Sequence, residues 1–201
     1  MKKLLVVGED ALCCALGIQL IRAAMPGWSA TGDPINTGGI TKLLPSLPRY
    51  VKQAQHVWPV LCVADTDKKC PVKLRSAWLP AHAPSSFMFR LAVPEAESWV
   101  LADREAFAEF FHVPLNRISA APEKLADAKV ELLRLARMSK VRYLKEEVVS
   151  AASPIKRGVG YNTHLCTLVS KHWDAIRAAE RAPSLSRAIE RLRAFAANEE
   201  H

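Results

Sequence analysis

Three short apolar segments constrain the fold of this chain more than any other feature. They span residues 3–8, 57–64 (VWPVLCVA) and 86–93 (SFMFRLAV). Their apolar residues are continuous rather than alternating, which is typical of short strands buried on both faces. Stretches with helical spacing separate the segments. Strands that alternate with helices predict an α/β fold with a mostly parallel sheet flanked by helices.

The rest of the chain carries helical signals and few strand signals. Apolar spacing and proline positions predict helices over 11–24, 40–55, a stretch ending near 78, a stretch starting at 94, 122–138, 141–152, 161–179 and 184–197. Residues 27–39 hold at most one short strand, and no strand signal follows residue 113. We therefore predict an α/β core over 1–112 and a helical segment over 113–201 that packs on it.

Positive charge is concentrated in the second half. The chain has 28 Lys and Arg against 20 Asp and Glu, a net charge of +8. Residues 1–110 hold 12 basic and 10 acidic side chains, whereas residues 111–201 hold 16 and 10. Such an excess permits a polyanionic partner such as nucleic acid. Five basic residues within twelve positions could follow a nucleic-acid backbone or form a solvated surface: Arg134, Arg137, Lys140, Arg142 and Lys145.

The sequence predicts a cytoplasmic protein with no membrane segment. Glu9 and Asp10 interrupt the N-terminal apolar stretch, which is too short for a signal peptide. No window approaches the length of apolar sequence that a membrane span needs. The five cysteines form no C-x-x-C pair, so reduced thiols are expected.

Acidic side chains follow all three predicted strands. Glu9 comes after the first, Asp65 and Asp67 after the second, and Glu95 and Glu97 after the third. The carboxyl ends of parallel strands share one sheet edge, where ligands bind. Carboxylates gathered there repel each other unless a cation is present, and oxygen ligands favour Mg²⁺ or Mn²⁺. The pattern predicts a metal site.

A structural interpretation of the same acids stays open. Asp65 or Asp67 could cap the following helix. Glu95 and Glu97 lie where a helix begins, and acids are favoured there by the helix dipole. Asp10 directly follows Glu9, so either side chain could face the sheet edge.

Two strand-end motifs resemble the TOPRIM domain. They are VVGED before a helix and the apolar strand VLCVADTD, which ends in D-x-D. TOPRIM domains occur in topoisomerases, primases and nucleases of the overcoming-lysogenization-defect type. FRLAVPEAESWVLADREAFAEFF and the later GVGYN are similar to a largely uncharacterised bacterial TOPRIM-like family. Its members are often encoded beside ATPases and associated with phage defence. The resemblance covers most of the chain.

The resemblance implies roles for the strand-end acids. Glu9 corresponds to the general acid/base of TOPRIM enzymes, and it is also expected to lie beside the metal. Asp65 and Asp67 correspond to the metal ligands of the D-x-D motif. Glu95 and Glu97 resemble the additional acids of the family and could support a second Mg²⁺ or Mn²⁺. Two cations would clamp the attacking and leaving oxygens of a phosphodiester.

The loop over residues 153–160 (SPIKRGVG) supplies a second group of candidates. Lys156 and Arg157 could hold phosphates and stabilise charge during cleavage. The loop precedes a predicted helix, whose N-terminus favours anions, and its two glycines would let the backbone approach a ligand. A flexible, solvated connection between helices is the alternative.

Together these features predict a Mg²⁺-dependent TOPRIM-like nuclease that cleaves phosphodiester bonds in DNA or RNA. The resemblance further implies an effector of bacterial anti-phage defence, with nucleic acid and an ATPase as partners. The alternative is a non-catalytic TOPRIM-like subunit that binds the ATPase or nucleic acid. Phosphoryl transfer on a small nucleotide is a third interpretation. Whether the chain forms a homo-oligomer stays open.

Overall fold

A sheet of five parallel strands forms the centre of the computed structural model, which describes residues 2–80 and 82–199. The strands are β1 (Lys2–Gly8), β2 (Trp28–Ala30), β3 (Ile35–Asn36), β4 (Val60–Asp65) and β5 (Phe87–Ala92). Their order is β2-β1-β4-β5, and β3 pairs with the carboxyl end of β1. The prediction of an α/β fold with a mostly parallel sheet is confirmed.

Helices cover both faces of the sheet and make up most of the second half. The helices within the first half are α1 (Ala11–Ala24), α2 (Ile40–His56), α3 (Pro71–Trp78), α4 (Ala96–Ala102) and α5 (Arg104–Phe111). The later ones are α6 (Ala128–Ala136), α7 (Arg142–Val148), α8 (Tyr161–Lys171), α9 (Ala175–Ala179) and α10 (Pro183–Asn198). Short 3₁₀ turns lie at Leu115–Arg117 and Pro122–Lys124.

The tight turn from β1 into α1 sets the geometry of the sheet edge. A Cβ on Gly8 would lie 2.6 Å from the Cys14 backbone nitrogen, so only glycine fits. Asp10 then caps α1, since its Oδ1 accepts a hydrogen bond from the Cys13 N–H at 2.9 Å. The chain thus turns immediately after β1, with Glu9 at the turn.

Two hydrophobic clusters lie on opposite faces of the sheet. One packs α2 against residues such as Val60 and Phe89. The other, larger cluster contains α1, α4 and most of the later helices, and it includes Leu16, Phe107 and Leu192. Because successive side chains of a strand point to opposite faces, the apolar runs of β4 and β5 contribute to both clusters.

The helices after residue 112 pack on the larger cluster. Helices α8 and α10 both contact α1. The buried Trp99 of α4 donates its indole N–H to Ser184 Oγ at 2.7 Å, and its carbonyl accepts the Trp173 indole N–H at 3.0 Å. The second half is therefore joined to the first through a shared apolar core. The proposed boundary near residue 112 stays a prediction.

Several predicted element bounds were wrong. Strand β4 begins at Val60 rather than at residue 57, and 27–39 holds two short strands instead of at most one. The helix expected to start at residue 94 begins at Ala96.

Two predicted helices are interrupted by side-chain caps. The helix predicted over 122–138 starts at Ala128, because Asp127 caps it by accepting the Val130 N–H. The helix predicted over 161–179 ends at Lys171, and Asp174 caps a new one. An aspartate whose side chain accepts the N–H groups of the next residues marks the start of a new helix. Apolar spacing alone does not show this boundary and predicts one longer helix.

In the described residues no helix is long and apolar enough to cross a membrane. All five cysteines are free thiols, and three of them, at positions 13, 14 and 62, are buried.

An ion pair between a half-exposed arginine and a buried carboxylate fastens α9 to the start of α5. The Asp103 carboxylate is fully buried and accepts hydrogen bonds from Arg177 Nε at 2.5 Å and Nη2 at 2.7 Å. It also accepts the backbone N–H groups of Asp174 and Ala106. Because the Asp103 carboxylate is buried, the stability of its charged form depends on each of these donors.

We predict that Arg177→Met lowers the free energy of unfolding by about 3 kcal/mol, because it leaves the buried Asp103 charge unpaired. Urea denaturation measures the change. Arg142→Met is the control, since Arg142 forms only an exposed pair with Glu146 and its loss should cause no measurable change. Equal effects of the two substitutions would contradict this interpretation.

Candidate functional site

Glu9 and Asp65 meet where β1 and β4 end. Glu9 Oε2 accepts a hydrogen bond from the Asp65 backbone N–H at 3.1 Å. The adjacent Asp10 is occupied in capping α1, so Glu9 is the acid that faces β4. Burial raises the pKa of Glu9, and the charges of Asp67 and Asp10 raise it further, while the Asp65 N–H opposes the shift.

Asp65 is partly buried between two helices. Its Oδ1 accepts the Ala96 N–H at the start of α4 at 2.8 Å and lies 3.9 Å from the Cys13 Sγ. Burial, followed by the negative charges of Glu97 and Glu9, raises the pKa of Asp65 to about 8. Asp65 therefore fastens α4 to β4, which is one part of the structural interpretation, and its position makes the charged form of the carboxylate unfavourable.

Asp67 takes a different position from Asp65. The residue between them, Thr66, is buried and donates its hydroxyl to the Pro94 carbonyl at 3.0 Å. Asp67 follows in a left-handed conformation with φ 47° and is exposed. Its charge still reaches Glu9, whose pKa it raises. The D-x-D motif thus places one acid inside the sheet edge and the other at its rim.

Glu97 is buried in α4 and held by residues from the second half of the chain. Its Oε1 accepts the Tyr161 hydroxyl at 2.7 Å and lies 3.6 Å from Lys129 Nζ. Its Oε2 is buried without a hydrogen-bond partner among the described residues. Burial raises the pKa of Glu97, although Lys129 and Tyr161 oppose that shift.

Glu95 lies two residues earlier, just before α4, and supports α6. Its Oε2 accepts the Lys129 backbone N–H at 3.1 Å, so it satisfies a free donor at the start of that helix. Its own side chain makes no capping bond to α4. Glu95 is 7% exposed and lies at the same end of the sheet as Asp65.

Lys129 and Tyr161 are site residues that the sequence did not reveal. Burial acts to lower the pKa of Lys129, but the carboxylates of Glu97, Glu95 and Asp65 outweigh it and raise the pKa. No motif surrounds Lys129. Tyr161 directly follows Gly160 in the GVGYN motif, and this motif was the sequence signal that could have identified it.

The loop over residues 153–160 delivers Tyr161 to Glu97. A Cβ on Gly158 would lie 2.2 Å from the Glu147 carbonyl oxygen, and one on Gly160 would lie 2.8 Å from the Glu147 Cβ. The close approach that these glycines allow is therefore to α7. Lys156 is exposed, and the exposed Arg157 places its guanidinium 5.5 Å from the centre of the Tyr161 ring.

The basic residues predicted to bind nucleic acid are exposed on α6, α7 and the turn between them. Two of them pair with acids of their own helices, Arg134 with Glu131 at 2.7 Å and Arg142 with Glu146 at 2.8 Å. The others are Arg137, Lys140 and Lys145. Arg137 and Lys145 line a shallow groove of about 270 Å³. Their role in nucleic-acid binding stays a prediction.

The donor chemistry of the sheet edge suits a hard cation. Glu9, Asp65 and Glu97 offer carboxylate oxygens, and one buried oxygen of Glu97 has no hydrogen-bond partner in the described part of the chain. Within residues 2–80 and 82–199, however, no three Asp, Glu, His or Cys side chains are already arranged as a metal-binding group. The residues fit Mg²⁺ or Mn²⁺ by type, with the ligand set still a prediction.

Comparison with known proteins adds no assignment. No protein-family description, curated protein or solved structure matches this chain.

The raised pKa of Asp65 predicts a pH-dependent stability. Between pH 3.8, its ordinary pKa, and about 8, folded Asp65 holds a proton that the unfolded chain releases. In metal-free buffer the free energy of unfolding should therefore fall as pH rises through this window, by roughly 2 kcal/mol or more. Urea denaturation across this range measures it. Asp65→Asn keeps an acceptor for the Ala96 N–H and should flatten the profile; an unchanged slope in this variant would contradict the assignment.

The contact of Gly158 with α7 gives a second prediction. Gly158→Ala forces Cβ into the Glu147 carbonyl, so it should lower the melting temperature by several degrees. Gly32→Ala is the matched control, since a Cβ there meets no atom within 4 Å. Thermal unfolding followed by circular dichroism compares the two. Equal melting temperatures would show that the loop adjusts without cost.

Proposed function

We propose that this chain is a Mg²⁺- or Mn²⁺-dependent nuclease of the TOPRIM type that cleaves phosphodiester bonds in DNA or RNA. The observation that carries the proposal is the contact between Glu9 and Asp65 at the carboxyl ends of adjacent parallel strands. Burial first, and then neighbouring carboxylates, raise the pKa of both groups at the position where open α/β sheets bind ligands.

The proposed ligands are Asp65, Asp67 and Glu97, with Glu9 and Glu95 at the same edge. Bound there, Mg²⁺ would polarise a phosphodiester and lower the pKa of a water molecule. Two carboxylates are the main candidates: Asp67, which is exposed, and Glu97, whose buried Oε2 has no hydrogen-bond partner among the described residues.

Glu9 is suited to proton transfer. One of its oxygens is fixed by the Asp65 N–H, which leaves Oε1 to accept or release a proton. Its pKa is raised towards the working pH, as general acid/base catalysis requires. Glu9 is also only half-buried, so solvent and substrate can reach it.

The exposed Lys156 and Arg157 are proposed to contact phosphates of the substrate. Arg157 lies beside Tyr161, whose hydroxyl binds Glu97, so the loop connects a basic surface to the acidic edge. The resemblance to the phage-defence family supports a role as effector of such a system, together with an ATPase.

One observation favours a second candidate function, a non-catalytic subunit. Tyr161 and Lys129 already bind Glu97, and Glu95 supports α6. These acids would then serve the fold, and the chain would bind an ATPase or nucleic acid without cleaving it.

Cleavage assays separate the two functions. With Mg²⁺ or Mn²⁺ and labelled DNA and RNA, we expect cleavage by the wild type and a loss of at least about a hundredfold in Asp65→Asn and Glu9→Gln. Glu190→Gln is the control, since it removes an exposed carboxylate from α10. The assay is run alone and with an ATPase of the kind encoded beside members of the resembling family.

Cleavage retained in both site variants would contradict the nuclease proposal. An inactive wild type that still binds nucleic acid or the ATPase would favour the non-catalytic subunit.

A further inference from the structure

Three arginines from separate elements meet at the free edge of the sheet. Arg90 Nη1 donates to the Phe89 carbonyl at 2.9 Å, and Arg75 Nη1 of α3 lies 3.5 Å from the same oxygen. Arg191 of α10, which packs on β5, is close enough for its charge to act on Arg90. We call Arg75, Arg90 and Arg191 the arginine cluster.

The arginine cluster lacks a negative partner. Among the described residues none of its three members forms an ion pair. Arg90 is partly buried, and its Nε has no hydrogen-bond acceptor there. Burial and then the charges of Arg75 and Arg191 lower the pKa of Arg90 to about 10, so the group stays charged at neutral pH. A buried charge without compensation is costly, which favours an external anion.

The position of the cluster limits what that anion can be. In the described part of the chain β5 pairs with β4 alone, so its other edge is open. An added peptide strand would need acceptors on this edge, yet the Phe89 carbonyl already accepts from two guanidinium groups. The planar guanidinium fork instead matches the paired oxygens of a phosphate or a carboxylate. The net charge of +8 favours a polyanion such as nucleic acid.

We propose that the arginine cluster binds phosphate groups of a nucleic-acid backbone. Arg75 and Arg191 are exposed and present their charges to solvent, while Arg90 supplies a guanidinium fixed by its bond to the Phe89 carbonyl. The cluster lies on α3, β5 and α10, whereas the other basic candidates lie on α6, on α7, in the turn between them and in the loop of Lys156 and Arg157.

The cluster also leads towards the acidic edge. Arg90 precedes Ala92 by two residues, and Ala92 pairs in register with Asp65. At about 3.3 Å per residue, the two positions on β5 are separated by roughly 7 Å along the strand. A nucleic acid held on this edge would therefore pass beside the strand ends where Glu9 and Asp65 lie.

Binding of a short fluorescein-labelled single-stranded DNA, followed by fluorescence anisotropy in EDTA, tests the proposal. Arg90→Lys keeps the charge but loses the fork, and we expect it to weaken binding about tenfold. Arg193→Lys is the matched control on α10, because Arg193 is exposed and lies two residues from Arg191, on another side of the helix. It should bind like the wild type.

A second variant guards against loss of folding. Arg75 and Arg191 are exposed, so the double substitution Arg75→Gln/Arg191→Gln should leave the thermal unfolding unchanged. It should reduce the slope of log affinity against log salt by about 1.4, which corresponds to two lost contacts with single-stranded DNA.

Two results would overturn the proposal. The first is that the double variant binds with the affinity and salt slope of the wild type and that Arg90→Lys also binds with wild-type affinity. The other is displacement of the DNA by poly-glutamate as effectively as by unlabelled DNA, which would indicate an acidic protein partner. EDTA removes divalent cations, and this experiment measures binding rather than cleavage. A negative result therefore does not contradict the nuclease proposal. Likewise, an inactive protein in the cleavage assay does not contradict this binding site.

Discussion

Burial of acidic side chains at the end of the parallel sheet is the constraint on which the rest of this structure depends. Glu97 is 3% exposed and Asp65 is partly buried, so neither carboxylate is fully hydrated. Compensation comes from far along the chain, from the Lys129 ammonium and the Tyr161 hydroxyl. The second half is therefore part of the site, and the acidic edge would not be stable without it.

Much of the fold could be predicted from the sequence, because buried parallel strands are continuous apolar runs and Asp10 and Pro26 mark the bounds of α1. The proximity of Glu9 to Asp65 followed from the same logic of shared strand ends. Lys129 and Tyr161 could not be found this way. Their contacts with Glu97 span 32 and 64 positions and arise only when α4, α6 and α8 pack together.

The positive charges illustrate a similar limit. Composition directed attention to Arg134 and Arg142, yet each pairs with an acid of its own helix. The arginine cluster was hidden because its members lie in three separate elements, two of them in the nearly neutral first half. Net charge along a sequence counts residues, whereas binding depends on charges that remain unpaired after folding.

Metal binding tests the central claim most directly. Calorimetry with Mg²⁺ or Mn²⁺ at neutral pH should show binding to the wild type and to Glu190→Gln, and none to Asp65→Asn. Because the pKa of Asp65 is raised to about 8, binding should release a proton, and the measured heat should change with the ionisation enthalpy of the buffer. Absence of binding in the wild type, both alone and with nucleic acid present, would show that these carboxylates serve the fold and not a metal.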